Sequence, residues 1–332
     1  MERLRVAVLF GGRSGEHEVS LMSAQSVIAA LDPDRYEVIP VGIAKDGRWL
    51  VGGDPLAALK EGLRQLPPNT VPTTFAPDPS SPGLIPLSPE PELDSERQHF
   101  DIVFPVLHGP YGEDGTVQGL LELANVPYVG SGVAASAAGM DKALMKGLFK
   151  GAGLPILDYM VLKSPDLSPM RSELAEEIGE KLGYPCFVKP ANLGSSVGVN
   201  KVESPEELSQ ALKEAARYDR KVIVEKAAEG YREIECSVLG NDDPIASVPG
   251  EIRPKGGFYD YRAKYIDNTS ELIIPAQLSS EAVKRVQELA IQAFLAIDGA
   301  GLARVDFFVH PDTEEVVINE INTMPGFTPI SM

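Results

Sequence analysis

A chain of 332 residues is longer than one hydrophobic core ordinarily serves, so roughly two or three domains are expected. Its 43% hydrophobic content is that of a globular protein, and a net charge of −18 excludes nucleic acid and anionic membrane as main partners, because both need a basic footprint. The same charge repels ATP, so any nucleotide site must bring its own lysines.

No apolar run reaches the length of a membrane span, and the N-terminus shows neither an h-region nor a cleavage site. The two cysteines, Cys186 and Cys236, fit no metal spacing, and Cys186 lies in an apolar run that reads as core. A soluble cytoplasmic protein without disulfides is expected.

The first element is an apolar strand, Leu4–Phe10, running into Gly11-Gly12 and then a helix. Strand, glycines and helix make the layout of a phosphate loop. The spacing G-G-x-x-G matches neither standard phosphate motif, however, and Glu16 stands where phosphate would want an N–H or a lysine. A carboxylate there is favoured by the helix dipole and attracts an ammonium, so Glu16 reads as an amine-binding acid. Val19, Met22, Val27, Ile28 and Leu31 give the helix its apolar face, with Ser14 or Ser20 as cap. A strand at 36–44 follows, which implies a parallel pair with a right-handed crossover. Residues 56–66 read as helix. Pro67–Pro91 contains nine prolines and reads as a surface insert that buries little and is dispensable for chemistry. The strand Asp101–Leu107 ends at His108-Gly109, a position where open α/β sheets bind ligands. Helix Gly115–Ala124 and strand Val126–Val129 complete an α/β domain ending near Gly130.

A second unit follows, with helices at Asp141–Lys150, Leu174–Leu182 and Pro205–Ala216 (capped at Ser204) and strands at Tyr159–Leu162, Cys186–Val188, Val197–Lys201 and Val222–Glu225. The last unit has strands near Ile234–Leu239, Ala246–Val248, Leu272–Pro275, Ala303–Val309 and Val316–Asn319, with a long helix over Ser280–Ala296.

Lys189 ends an apolar strand just before Gly194-Ser195-Ser196-Val197-Gly198, a combination suited to phosphate: small residues let N–H groups approach and the lysine adds charge. Glu225-Lys226 closes a β-branched strand in the manner of an adenine hinge, a weak signal alone. Arg304 and Asp306 are two apart on one strand, and Glu320 and Asn322 two apart on another, so each pair shares a face. If the strands pair, one face gathers oxygens that suit Mg²⁺. Gly256–Tyr265, with Phe258, Lys264 and three tyrosines, reads as an aromatic lid that excludes water.

Taken in order, Gly11-Gly12…Glu16…Glu18-Val19-Ser20, His108-Gly109…Gly112-Glu113-Asp114-Gly115, Met140-Asp141-Lys142, Val188-Lys189-Pro190, Gly194-Ser195-Ser196-Val197-Gly198, Phe258-Tyr259-Asp260-Tyr261…Ala263-Lys264-Tyr265, Arg304-Val305-Asp306 and Glu320-Ile321-Asn322-Thr323…Pro325-Gly326 resemble the D-alanine–D-alanine ligase family of ATP-grasp enzymes. The resemblance covers nearly the whole chain outside Pro67–Pro91. It implies an α/β, three-domain ATP-grasp architecture: an N-terminal parallel-sheet domain (1–130) with the first-substrate site and dimer interface, a central subdomain (131–226), and a C-terminal subdomain (227–332) with lid loop 254–269 and the metal site. ATP is implied between the last two.

By position, the resemblance implies that Glu16 holds the ammonium of the first D-alanine and couples to Ser195 and Tyr265. Lys142, Lys189 and Lys264 would bind phosphates; Glu225, Lys226, Ala227, Ala228 and Glu233 would form the adenosine pocket, with Phe258 and Asn319 completing the ATP set. Asp306, Glu320 and Asn322 would ligate two Mg²⁺ ions, with Mn²⁺ as a substitute and a monovalent cation such as K⁺ as an additional ion. Arg304 and the Gly326 N–H would stabilise the oxyanion, Ser331 and Met332 would cradle the second carboxylate, and His108 would serve the second substrate. The implied reaction is ATP-dependent ligation of two D-alanines through a D-alanyl phosphate, for peptidoglycan precursors, by a cytoplasmic homodimer. The alternatives are a D-Ala–D-Ser or D-Ala–D-lactate ligase on the same scaffold, and an ATP-binding protein that has lost catalysis. Family members continue into a C-terminal helical segment beyond the position of Met332.

Overall fold

The computed structural model describes residues 3–62, 68–80, 83–87, 99–163, 173–253, 271–328 and 331. The chain divides into two compact units: Met1–Ala137 with Ala300–Leu302 and Thr323–Ser331, and Ala138–Gly299 with Ala303–Asn322.

The first unit contains β1 (Leu4–Gly11), α1 (His17–Ala30), β2 (Tyr36–Ile43), β3 (Trp49–Val51), α2 (Pro55–Lys60), β4 (Val71–Ala76), β5 (Gly83–Pro86), β6 (Ile102–Pro105) and α3 (Thr116–Leu123). Its sheet runs β5-β4-β3-β2-β1-β6. β1 pairs in parallel with β2 and β6, as strand–helix–strand connection requires. β3, β4 and β5 add antiparallel strands, so the sheet is mixed rather than parallel throughout. Val126–Val129 contributes only an isolated bridge, Val103 to Tyr128. In α1, Val19 and Val27 face the core as expected, but Met22 is exposed.

The proline-rich stretch departs most from expectation. Its described parts include β4 and β5, and β4 is an inner strand, paired on both sides. Val71, Phe75 and Leu84 are buried in the core of this sheet, and Phe75 sits 6.0 Å from Trp49 and 5.7 Å from Phe100, ring centre to ring centre. The stretch therefore contributes to the core of this sheet rather than burying little. Pro72 gives up a donor but keeps its carbonyl in use, accepting from the Leu87 N–H at 2.9 Å. Phe75→Ala is accordingly expected to cost about 3–5 kcal/mol of stability, read as a lower urea midpoint. A loss below 1 kcal/mol, the order of an exposed position, would return the segment to the surface.

α4 (Val133–Met140) follows, an Ala-rich helix with no counterpart among the expected elements, and the division between the units falls within it. The second unit continues with α5 (Lys142–Gly151), β7 (Tyr159–Lys163), α6 (Leu174–Lys181), β8 (Cys186–Pro190), β9 (Asn200–Val202), α7 (Pro205–Ala215), β10 (Lys221–Lys226), β11 (Arg232–Gly240), β12 (Ile245–Ala246), β13 (Gly250–Arg253), β14 (Glu271–Ile273), α8 (Ser280–Ala296), β15 (Gly301–Val309) and β16 (Val316–Asn322). It holds two sheets: one of four strands, β7-β10-β8-β9, and one of six, β14-β13-β11-β15-β16 with β12 beside β11. α6 and α7 bury Leu174, Ile178, Leu208 and Leu212 against the first of these, and α8 packs on the second. Among the described residues no helix is long and apolar enough to cross a membrane.

Cys186 and Cys236 are free and buried. Burial pushes each thiol up to about 11, Cys236 against the opposing pull of its bonds to Ser247. Because the thiolate is the reactive form, neither is expected to react with a thiol reagent at neutral pH until the protein unfolds. Rapid labelling of the native protein would contradict this placement.

Candidate active site

The strand end and glycines of the first unit position Glu16. Ser20, a candidate cap, is instead a buried tie within α1: its hydroxyl accepts from the Gly11 N–H at 2.8 Å and donates to the Val106 carbonyl. Glu16 occupies the N-cap position of α1. Ser14 Oγ accepts from the Glu16 N–H at 3.2 Å and donates to the His108 carbonyl at 2.6 Å, joining the two loops. Gly109, at φ +71°, lies so close to the Glu16 carboxylate that any Cβ would collide with Oε2. Thus Glu16 and the His108-Gly109 strand end, singled out separately in sequence, come together.

His108 is buried, with Nε2 2.9 Å from Ser23 Oγ and Nδ1 3.1 Å from the Met324 carbonyl. The segment bearing Gly326 and Ser331 belongs to this same unit. Its Thr328 N–H donates to Ser331 Oγ at 3.1 Å, and the Ser331 N–H returns to the Thr328 carbonyl at 2.9 Å.

The second unit supplies the lysines that an acidic chain needs. Asp141 caps α5, accepting from the Ala143 and Leu144 N–H groups, and forms an ion pair with Lys221 of β10. Lys142 opens the helix and donates to the Leu193 carbonyl at 2.7 Å, with Glu320 Oε2 3.9 Å away. One turn on, Lys146 pairs with Glu225 Oε1 and donates to the Asn319 carbonyl at 3.2 Å. Lys189 holds the other oxygen of Glu225 at 2.6 Å. The side chains of Lys146, Glu225 and Lys189 are 2%, 1% and 13% exposed, which makes Lys189 the member able to meet a ligand.

Burial pushes Lys146 below the ordinary lysine value despite its pairing with Glu225. Burial also opposes the charges of Glu225 and Lys189, but there the ion pairs outweigh it: Glu225 is held below the ordinary carboxylate value and Lys189 above the ordinary lysine value. Two ammoniums on one carboxylate leave a single positive charge. Lys146 was not singled out in the sequence; the one signal for it is its place four residues after Lys142, on the same helix face.

Ser195 and Ser196 both adopt left-handed backbone, at φ +52° and +57°, between β8 and β9. Consecutive non-glycine residues in that region mark a strained turn of the kind found at functional sites. Gly198 completes it at φ +73°, where a Cβ would lie 2.7 Å from the Tyr218 ring. Lys226 ends β10 and its N–H donates to the Asp158 carbonyl at 3.0 Å; the Ala227 N–H reaches the Pro185 carbonyl at 3.3 Å, Ala228 follows directly, and Glu233 stands on β11. Phe258, Lys264, Tyr265 and Met332, with the whole lid motif, lie outside the described residues.

β15 and β16 pair antiparallel, with Arg304 opposite Asn322 and Asp306 opposite Glu320. The shared polar face expected from the two-residue spacing is therefore present. A register shift after Asp306 leaves Asn319 without a ladder partner, and its carbonyl is the one Lys146 takes. Arg304 grips Asp306 with two bonds of 2.7 Å and lies 3.1 Å from Glu235. Asn322 donates its amide to Asp306 Oδ2 at 3.2 Å. Among the described residues no three His, Cys, Asp or Glu side chains converge as a metal centre. The donors here are two carboxylates and one amide, a hard-oxygen set of the composition that suits a cation sharing its shell with substrate phosphates.

The family models described as D-ala D-ala ligase N-terminus and D-ala D-ala ligase C-terminus match residues 5–131 and 148–332. The chain belongs to the D-alanine–D-alanine ligase family. A D-alanine–D-alanine ligase of Heliobacterium modesticaldum is 53% identical over all of this chain and 89% of that protein. Among solved structures, the VanG D-Ala:D-Ser ligase of Enterococcus faecalis aligns at a TM-score of 0.87 and 37% identity, over 100% of this chain and 93% of that one. The D-alanine–D-alanine ligase of Coxiella burnetii aligns at 0.83 and 38%, over 100% and 88%. Membership in the D-alanine–D-alanine ligase family implies ATP as a substrate and use of a divalent cation.

Proposed function

We propose that this chain joins two D-alanines into D-alanyl-D-alanine, converting ATP to ADP and phosphate, in the supply of peptidoglycan precursors. The observation that carries the reading is the β15/β16 face, where Arg304, Asp306, Glu320 and Asn322 stand in register within a chain of this family.

In this reading a carboxylate oxygen of the first D-alanine attacks the γ-phosphorus of ATP, forming D-alanyl phosphate and releasing ADP. Lys142 and Lys189 hold phosphate oxygens, with Lys264 as a third; Lys189 is suited by the charge that the Lys146–Glu225 pair leaves on it. Glu225, Lys226, Ala227, Ala228, Glu233, Phe258 and Asn319 hold the nucleotide. Asp306, Glu320 and Asn322 would bind Mg²⁺, which when present neutralises phosphate oxygens. The amine of the second D-alanine then attacks the acyl carbon, and phosphate leaves. Glu16 holds the first ammonium, Arg304 and the Gly326 N–H stabilise the oxyanion, and Ser331 with Met332 takes the second carboxylate. Ser195 and Tyr265 serve closure. The division into 1–130, 131–226 and 227–332 belongs to the same reading and is supported by the three sheets; assembly as a homodimer in the cytoplasm also belongs to it and rests on family resemblance alone.

The test is phosphate release from ATP with a divalent cation and a panel of D-alanine, D-serine, D-lactate and L-alanine, singly and paired. D-alanine alone is expected to support turnover and yield the homodipeptide. Turnover only when D-serine or D-lactate accompanies D-alanine would assign the acceptor differently, and none with any D-substrate would remove the ligase reading.

A further inference from the structure

The buried contacts of His108 place a serine in the machinery of the first unit that no motif singled out. Ser23 lies on α1 seven residues after Glu16, two helical turns or about 10 Å along the same face. Its side chain is fully buried. The Phe327 N–H donates to Ser23 Oγ at 3.0 Å, and Oγ lies 2.9 Å from His108 Nε2. His108 Nδ1 lies 3.1 Å from the Met324 carbonyl.

The directions of these bonds follow from what each group can do. A carbonyl only accepts, so Nδ1 bears a proton. The Ser23 hydroxyl already accepts from the Phe327 N–H, and in the Nδ1–H tautomer of His108 its own proton goes to Nε2. One consistent chain results: Phe327 N–H to Ser23 Oγ, Ser23 O–H to His108 Nε2, and His108 Nδ1–H to Met324 C=O. Its two ends grip the same short segment on either side of Pro325-Gly326. Proline has no N–H, so the amide of Gly326 is the only backbone donor between the two grips. The Phe327 ring adds an edge-on contact with Phe104, 5.9 Å between centres.

We propose that Ser23 is a positioning residue for the amine-attack step, aiming the Gly326 amide through His108, and that His108 acts chiefly as the other half of this clamp. Both ring nitrogens of His108 are engaged by protein, which is the arrangement of a group that orients others. The proposal rests on the ligase reading. It places Ser23 upstream of the oxyanion donor and not upstream of ATP binding.

The experiment is steady-state kinetics of Ser23→Ala, with phosphate and dipeptide measured separately. Expected are an unchanged KM for ATP, a fall of about ten-fold or more in kcat/KM for the acceptor D-alanine, and a phosphate-to-dipeptide ratio above one as acyl phosphate reaches water. Ser23→Thr, which keeps the hydroxyl, should recover the ratio. His108→Asn retains a donor toward Met324 but cannot reach Ser23; it should show the same split, and the double variant with Ser23→Ala should be no worse than the poorer single variant. Wild-type acceptor kinetics and ratio in Ser23→Ala would overturn the proposal, as would a loss that falls equally on ATP and D-alanine. So would full additivity of the two substitutions, which also decides the matter if one variant is only weakly stable. A wild-type enzyme that forms no dipeptide would overturn the ligase reading instead.

Discussion

Glu320→Gln is expected to abolish ligation, lowering D-alanine-dependent phosphate release by about 100-fold or more while leaving the fold intact. Gln keeps the volume and one acceptor oxygen but removes the charge that a hard cation requires. The position stands directly opposite Asp306, so the substitution halves the carboxylate content of the face without touching the Arg304 grip on Asp306. Lys142, 3.9 Å from Glu320, retains its bond to the Leu193 carbonyl in this variant. Circular dichroism should match wild type. Near-wild-type turnover at saturating Mg²⁺ would remove Glu320 from the cation site.

Glu225→Gln is expected to destabilise the protein by about 3–5 kcal/mol, read by urea unfolding. The carboxylate is sandwiched between Lys146 and Lys189, and removing it leaves two like charges facing each other with little water. Lys146→Met should cost less, because Glu225 then keeps Lys189 and a buried ammonium is replaced by an apolar chain of similar length. The order is the informative result. If Lys146→Met were the worse variant, the pair would be held by Lys146 alone, and Lys189 would not owe its charge to a shared carboxylate.

Those two sites differ in how far the sequence revealed them. The β15/β16 face was readable because a strand alternates sides every residue, so Arg304/Asp306 and Glu320/Asn322 had to share a face once the strands paired. The register that makes them opposite is tertiary, as is the bulge that frees Asn319 for Lys146. Lys146 itself looks like an ordinary helix lysine; only the approach of β10 and β16 buries it. Glu16 was readable from a glycine loop whose spacing did not suit phosphate, yet its neighbour Gly109 is ninety-odd residues away and its fit against the carboxylate appears only in three dimensions. In the proline-rich stretch the prolines mask a strand alternation: Val71, Thr73 and Phe75 are all buried. β13 went unread for the opposite reason: Glu251 makes the strand look polar, but it is buried and held by Arg232 and Arg253.

An acyl phosphate formed from the substrate carboxylate carries a carboxylate oxygen into the released phosphate, so its formation is tested by following that oxygen. D-alanine labelled with ¹⁸O in its carboxylate is incubated with the enzyme, ATP and Mg²⁺, and the inorganic phosphate is analysed by mass spectrometry. Expected are one labelled oxygen in each phosphate released and one D-alanyl-D-alanine formed per ADP. Phosphate free of label, or label appearing in AMP, would contradict it.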